Sequence, residues 1–220
     1  MKKKIGVLLA GSGVYDGSEI HEATLTLYFL DRAGAEILCA APNKDQLHVV
    51  DHQTSEEAGA SRNVLVESAR ISRGSMLDLA SLKASDIDGL ILPGGFGAAK
   101  NLADYAVKGR DCSVDPEVQR IIREVVDAGK PLGAMCIAPV VVAAALKDSG
   151  VQPTLTIGSD AGTAADLVFF GANHQDTNVD DIAVDEANKI VSTPAYMLGP
   201  GISDIAKGIE KLVGQVLEWA

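Results

Sequence analysis

Gly133-Ala134-Met135-Cys136-Ile137-Ala138-Pro139 joins two kinds of sequence at a single residue. To its left, Pro131–Met135 is a short apolar run that reads as a strand. To its right, Ile137–Lys147 reads as an aliphatic helix. No loop residue separates them, so Cys136 occupies the turn itself. Such a strand-to-helix turn holds its residue in strained backbone geometry above the carboxyl edge of a sheet. The helix behind it directs N–H groups and the positive end of its dipole toward the sulfur, which favours thiolate over thiol. Gly133, Ala134 and Ala138 are small enough to let another group approach closely. The same pattern also fits a buried structural cysteine, the usual role of a free thiol.

Outward from that turn, strand-like and helix-like segments alternate. Ile5–Leu9 is a continuous aliphatic run of the kind buried on both faces of a parallel sheet. A helix with Ser18 as its N-cap runs to about Ala33 and is closed by Gly34. Glu36–Ala41 reads as the second strand, stopped by Pro42-Asn43. Lys44–Leu82 is polar and mixed, with helical character at Asn63–Ala69, and reads as an excursion over the sheet. Asp88–Leu92 is a further strand, and Pro116–Ala128 is a helix with proline in its first turn and Gly129 at its end. Beyond the Cys136 helix, Thr154–Ile157, Ile182–Asp185 and Lys189–Ser192 read as strands and Ala161–Phe170 as a helix. Ser203–Trp219 is an amphipathic helix through Ile205, Ile209, Leu212, Val213 and Val216. Alternating β and α units without a linker or repeat predict one α/β domain over residues 1–220, a flavodoxin-like, doubly wound, mostly parallel sheet.

Three further features fall near the predicted carboxyl edge. Pro93-Gly94-Gly95-Phe96-Gly97 follows an apolar strand, and its glycines permit a sharp turn that offers N–H groups to an anion. It lacks the Lys-Ser/Thr of a phosphate-binding loop and does not match a dinucleotide fingerprint. Ala10-Gly11-Ser12-Gly13 is a second such turn after the first strand. Asp16-Gly17-Ser18-Glu19-Ile20-His21-Glu22 opens the first helix, where acids ordinarily complement the dipole. His21, His48, His52 and His174 show no metal-ligand spacing, so neither metal nor cofactor is expected.

Composition limits the partners. Apolar residues make up 47% of the 220, enough for a large aliphatic core, and 19 Lys plus Arg against 30 Asp plus Glu leave a net charge of -11. A field of that sign repels phosphate backbones and anionic lipid heads, which argues against nucleic acid and membrane surfaces. Cys39, Cys112 and Cys136 are an odd set at wide spacings, which suits a reducing compartment. Lys2-Lys3-Lys4 before Ile5–Gly11 looks like the start of a signal peptide, but no small-residue cleavage site follows, and a buried first strand fits better. A cytoplasmic location is expected.

Together the segments Gly11–Glu22, Leu92–Leu102, Met135–Pro139 and Ser192–Met197 resemble the PfpI-type branch of the class I glutamine-amidotransferase-like superfamily. That superfamily includes protein deglycases, small-aldehyde glyoxalases and intracellular peptidase-like proteins. The resemblance spans the chain, and Tyr15–Glu22 is its most specific part, similar to the ElbB-like group of isoprenoid-biosynthesis-associated proteins with glyoxalase III-like activity. It implies that Cys136 is a nucleophile and Glu22 a carboxyl group hydrogen-bonded to its sulfur. Backbone N–H groups of Gly95 and Ile137 would form an oxyanion hole, with Gly94 beside them.

One departure from the family is plain. Many relatives carry a histidine after the strand corresponding to Thr154–Ile157, where this chain has Gly158-Ser159-Asp160; His174 is the candidate substitute. Amide cleavage needs a base to serve a poor leaving group, whereas adding a thiolate to an aldehyde and relocating a proton is work for one carboxyl. The expected function is a cofactor-independent glyoxalase that converts glyoxal or methylglyoxal, a small aldehyde substrate, to the hydroxy acid. Alternatives are a protein deglycase and a redox sensor or chaperone with an oxidisable cysteine. A homodimer is expected, with Lys44–Leu82 contributing to its interface.

Overall fold

A computed structural model describes residues 2–220. The strands are β1 (Lys4–Leu8), β2 (Glu36–Ala41), β3 (Leu77–Asp78), β4 (Gly89–Leu92), β5 (Leu132–Met135), β6 (Thr154–Leu155), β7 (Asn173–His174), β8 (Ala183–Asp185) and β9 (Ile190–Thr193). The α-helices are α1 (Ile20–Arg32), α2 (Val64–Ile71), α3 (Tyr105–Lys108), α4 (Pro116–Asp127), α5 (Ala138–Leu146), α6 (Ala161–Phe169) and α7 (Ile202–Trp219). Seven strands form one sheet in the order β3-β2-β1-β4-β5-β9-β8, parallel throughout except for the antiparallel β8–β9 hairpin at one edge. A mostly parallel sheet flanked by helices is the predicted class.

Sheet burial on both faces explains the unbroken aliphatic runs. Ile5 and Val7 of β1, Ile91 of β4 and Met135 of β5 face α1 and α7. Leu8, Leu90, Leu92, Leu132 and Ala134 face the opposite way, toward α4 and α5. Side chains alternate along a strand, so each run must be apolar at every position to fill both layers. Helix α7 supplies the predicted stripe, with Ile205, Ile209, Leu212, Val213 and Val216 all buried.

The local signals work as their chemistry dictates. Asp115 caps α4, its carboxylate accepting from the Glu117 and Val118 N–H groups, and Pro116 follows in the first turn, where no N–H is needed. Gly34 takes a φ of +74° just past the end of α1. Two expectations are corrected. Ser18 is not the N-cap of α1: Glu19 caps it, while the Ser18 hydroxyl accepts from Ala10 N–H at 2.8 Å and ties the helix start to the end of β1. The strand expected at Thr154–Ile157 leaves the main sheet and pairs with Asn173–His174 in a separate two-stranded ribbon.

The polar segment between β2 and β4 braces the loop after β1. Val50 N–H donates to Asp16 Oδ2 at 2.8 Å, and Tyr15 N–H donates to His52 Nε2 at 3.2 Å. Asn101 completes the brace, its amide donating to the carbonyls of Ala10 and Asp16 and its oxygen accepting from Leu47 N–H.

Candidate active site

Strand β5 lies in the middle of the sheet and ends where α5 begins, leaving Cys136 at the carboxyl edge with a φ of +58°. That left-handed backbone is strained for a non-glycine residue. It is held from the neighbouring strand, because Cys136 N–H donates to the Thr193 carbonyl at 3.1 Å. The strand-to-helix turn read from the sequence is present.

The glycine-rich loop after β4 reaches the same edge. Gly95 takes a φ of +92°, and its α-carbon packs so closely on the Gly17–Glu19 backbone that a side chain there would collide. Glu19 N–H donates to the Gly94 carbonyl at 2.9 Å, locking the loop to the start of α1. That contact brings Glu22, one turn into the helix, against the sulfur.

Glu22 is fully buried and saturated with donors. Its Oε2 accepts from Gly94 N–H at 2.8 Å, its Oε1 from Tyr196 N–H at 3.2 Å, and its carboxyl is hydrogen-bonded to the Cys136 thiol. Gly94 therefore differs from the sequence expectation: its N–H holds Glu22 and is not free beside an oxyanion. Burial, reinforced by the charge of nearby Glu19, pushes the Glu22 carboxyl up to about 8, although both backbone N–H groups oppose the rise. The Cys136 thiol is also corrected. Burial, with the adjacent Glu22 carboxyl, raises it well above the ordinary thiol range, where the sequence pointed to a depressed value. The N–H groups of Gly95 and Ile137 favour the thiolate but do not outweigh the loss of water. Protonating Glu22 removes its repulsion of the sulfur and supplies a donor instead, so ionising either group opposes ionising the other.

Cys136, Gly95 and Ile137 line a cavity of about 550 Å³ at this edge. Phe96, Met197 and Val14 give it apolar walls, and Tyr105 and Tyr196 present phenol rings. Glu19 and Asp160 are its acidic side chains, and none of its lining residues is a lysine, arginine or histidine. Glu22 is packed against Cys136 and is not one of the residues lining this space.

His174 does not join the site. It lies on β7 in the small ribbon, with Nδ1 3.5 Å from Asp176 Oδ1 and a buried Nε2 that has no partner among the described residues, and it is not part of the cavity wall. Two residues matter more than isolated sequence reading suggested. Glu19 combines N-cap, wall of the cavity and neighbour to Glu22. Tyr196 follows β9 on a 3-10 turn and supplies both a backbone donor to Glu22 and a ring in the cavity. Both fall inside the segments that carried the family resemblance, which was the available signal.

Comparison with known proteins agrees with this architecture. The sequence model of the DJ-1/PfpI family matches residues 3–194. The human glutamine amidotransferase-like class 1 domain-containing protein 3, mitochondrial, is 47% identical over 225 residues, covering 98% of this chain and 82% of that protein. The rat ES1 protein homolog, mitochondrial, is 45% identical, covering 99% of this chain and 84% of that one. A solved isoprenoid biosynthesis protein with amidotransferase-like domain from Ehrlichia chaffeensis superposes with a TM-score of 0.91 at 38% identity, over 99% of this chain and 100% of that one. The mitochondrial names of these two relatives overturn the expectation of a cytoplasmic protein. That expectation rested on cysteine usage and a signal-peptide test, which address only the secretory route and do not distinguish one reducing compartment from another. With matches of this length and identity, on a fold that places Cys136 and Glu22 together at the sheet edge, the chain belongs to the DJ-1/PfpI family.

Proposed function

We propose that this protein is a cofactor-independent glyoxalase of the ElbB-like kind, converting glyoxal or methylglyoxal to the 2-hydroxy acid through a hemithioacetal on Cys136. The observation that carries the reading is the pair of Cys136 with Glu22, a buried carboxyl hydrogen-bonded to the sulfur and poised at about 8. A carboxyl so poised can hold or release a proton near neutral pH, as acid and base work within one cycle requires.

The thiol adds to the aldehyde carbon, forming the S–C bond. Its proton passes through Glu22 to the carbonyl oxygen, which the N–H groups of Gly95 and Ile137 receive. Glu22, again a carboxylate, takes the hydrogen from that carbon and returns it to the neighbouring carbonyl carbon. The product is the thioester of the hydroxy acid, an isomer of the hemithioacetal, so the step needs no oxidant or reductant. Water then adds to the thioester, the C–S bond breaks, and the proton that the water gives up returns to the sulfur. The absence of an imidazole from the cavity wall favours this chemistry over amide cleavage, which needs a base to serve its leaving group.

The test is steady-state turnover of the pure protein with glyoxal and with methylglyoxal, reading hydroxy acid formed. Many turnovers per protein are expected, and none with Cys136→Ala. A wild-type protein that turns over neither aldehyde overturns the reading.

A further inference from the structure

The isomerisation moves protons at oxygen as well as at carbon. As the first carbon loses its hydrogen, the oxygen on the second carbon must gain a proton to give an enediol. As the second carbon is protonated, the first oxygen must lose its proton to give the thioester. Glu22, behind the sulfur, is occupied with the carbons. Asp160, at the place where relatives carry histidine, cannot supply the oxygens: it caps α6, accepting from Thr163 N–H at 2.8 Å, and that bond holds its carboxyl below the usual range.

Tyr196 is placed to do so. Its ring lines the cavity that holds Cys136, and its hydroxyl lies 2.7 Å from His21 Nδ1. The residue is fixed on both sides: its N–H is bonded to Glu22 Oε1, and the preceding Ala195 is held at a φ of +44°, a strained conformation for alanine. His21 is exposed, so its imidazole exchanges protons with water.

We propose that Tyr196 is the acid and base at the substrate oxygens, and that His21 is a positioning residue that holds the phenol and links it to solvent. With Nδ1 protonated, the imidazole donates to the phenol oxygen and leaves the O–H free to point into the cavity. Tyr196 gives this proton to the second oxygen as Glu22 removes the carbon hydrogen. It takes the proton of the first oxygen as the second carbon is protonated, so the cycle closes with no net gain or loss. While the proton is away, His21 N–H faces the phenolate. Burial and the charges of Glu19 and Glu22 hold the phenol above its ordinary value, so it begins the cycle protonated.

This assignment rests on the glyoxalase reading, and its test separates the two. Tyr196→Phe keeps the ring and the backbone donor to Glu22 and removes only the hydroxyl. With methylglyoxal its kcat is expected to fall about a hundredfold, the scale of a lost general acid. KM and the rate of Cys136 alkylation by iodoacetamide should stay at wild-type values, and the cysteine adduct should accumulate in intact-mass spectra. His21→Ala should lose part of kcat and change the pH profile of the remainder. An active wild type matched by Tyr196→Phe overturns the assignment alone. So does a Tyr196→Phe protein whose alkylation slows in step with turnover, because the ring would then act only by shaping the Glu22–Cys136 pair. An inactive wild type overturns both readings.

Discussion

Gly94 lies so close beneath Cys136 that a methyl group on its α-carbon would stand 2.5 Å from the cysteine Cβ and 2.8 Å from Glu22 Oε2. The absence of a side chain at this position allows sulfur and carboxyl to meet. Gly94→Ala must push one of them away, at a cost of about 1–3 kcal/mol for overpacking. Turnover should fall further than stability does, because the displaced groups are the proposed reacting pair. Thermal melting and aldehyde turnover measured on the same sample check this, and a variant with wild-type activity would remove the close approach from the mechanism.

Glu22→Gln keeps the size of the side chain and an oxygen acceptor for one of the Gly94 and Tyr196 N–H groups, turns its NH2 toward the other, and cannot exchange a proton. Turnover should drop by about a hundredfold or more. The thiol should move the other way: without the carboxylate charge, Cys136 ionises more easily, and iodoacetamide should label it at a lower pH than in the wild type. Alkylation rate against pH, with Cys39 and Cys112 replaced by serine, reads this directly.

The same carboxyl ties stability to pH. The Glu22 carboxyl titrates at about 8 in the folded chain, well above its ordinary value of 4.5. Between those values the unfolded chain has released the proton and the folded chain still holds it. Stability from this group is therefore full below the lower value and is lost as pH rises to the upper one. Glu22→Gln has no such loss, so its unfolding free energy from urea titration should climb relative to wild type across that window, on the order of a few kcal/mol. A gap between the two proteins that does not change with pH would show that the buried carboxyl is ionised throughout.

The cavity wall carries Glu19 and Asp160 and no cationic side chain. A carbonyl that already bears a carboxylate, such as glyoxylate, should be a poor substrate beside glyoxal. Asp160, at the exposed rim, contributes a screened repulsion, so Asp160→Asn should raise kcat/KM for glyoxylate several-fold at low salt and less at high salt. Equal salt dependence in the two proteins would exclude Asp160 from substrate selection.

Much of this fold is legible where short-range chemistry decides. Glu36–Ala41 reads as a strand because it is apolar and meets Pro42, and α4 reads from Pro116 to Gly129 because both ends carry their own signals. Cys136 reads as a turn because strand and helix leave it no other place. What stays hidden is set by distant partners. Thr154–Leu155 is a two-residue strand, too short to show whether it joins the main sheet or pairs with Asn173–His174. Ser18 is the better N-cap by residue type, and its hydroxyl, taken by the Ala10 N–H, leaves that role to Glu19. The proximity of Tyr196 to Glu22 depends on a bond spanning 174 positions, and burial reverses the thiol shift expected from a helix end alone.

The seclusion of Glu22 has an isotopic consequence. In the proposed reaction, a hydrogen lifted from the substrate carbon enters a carboxyl with no solvent exposure, while the Tyr196 phenol meets solvent through the exposed His21 imidazole. Carbon-bound and oxygen-bound hydrogens thus follow separate routes. Ordinary glyoxal turned over in heavy water should give glycolate that keeps both original hydrogens on carbon, whereas a carboxyl open to solvent would leave one deuterium there.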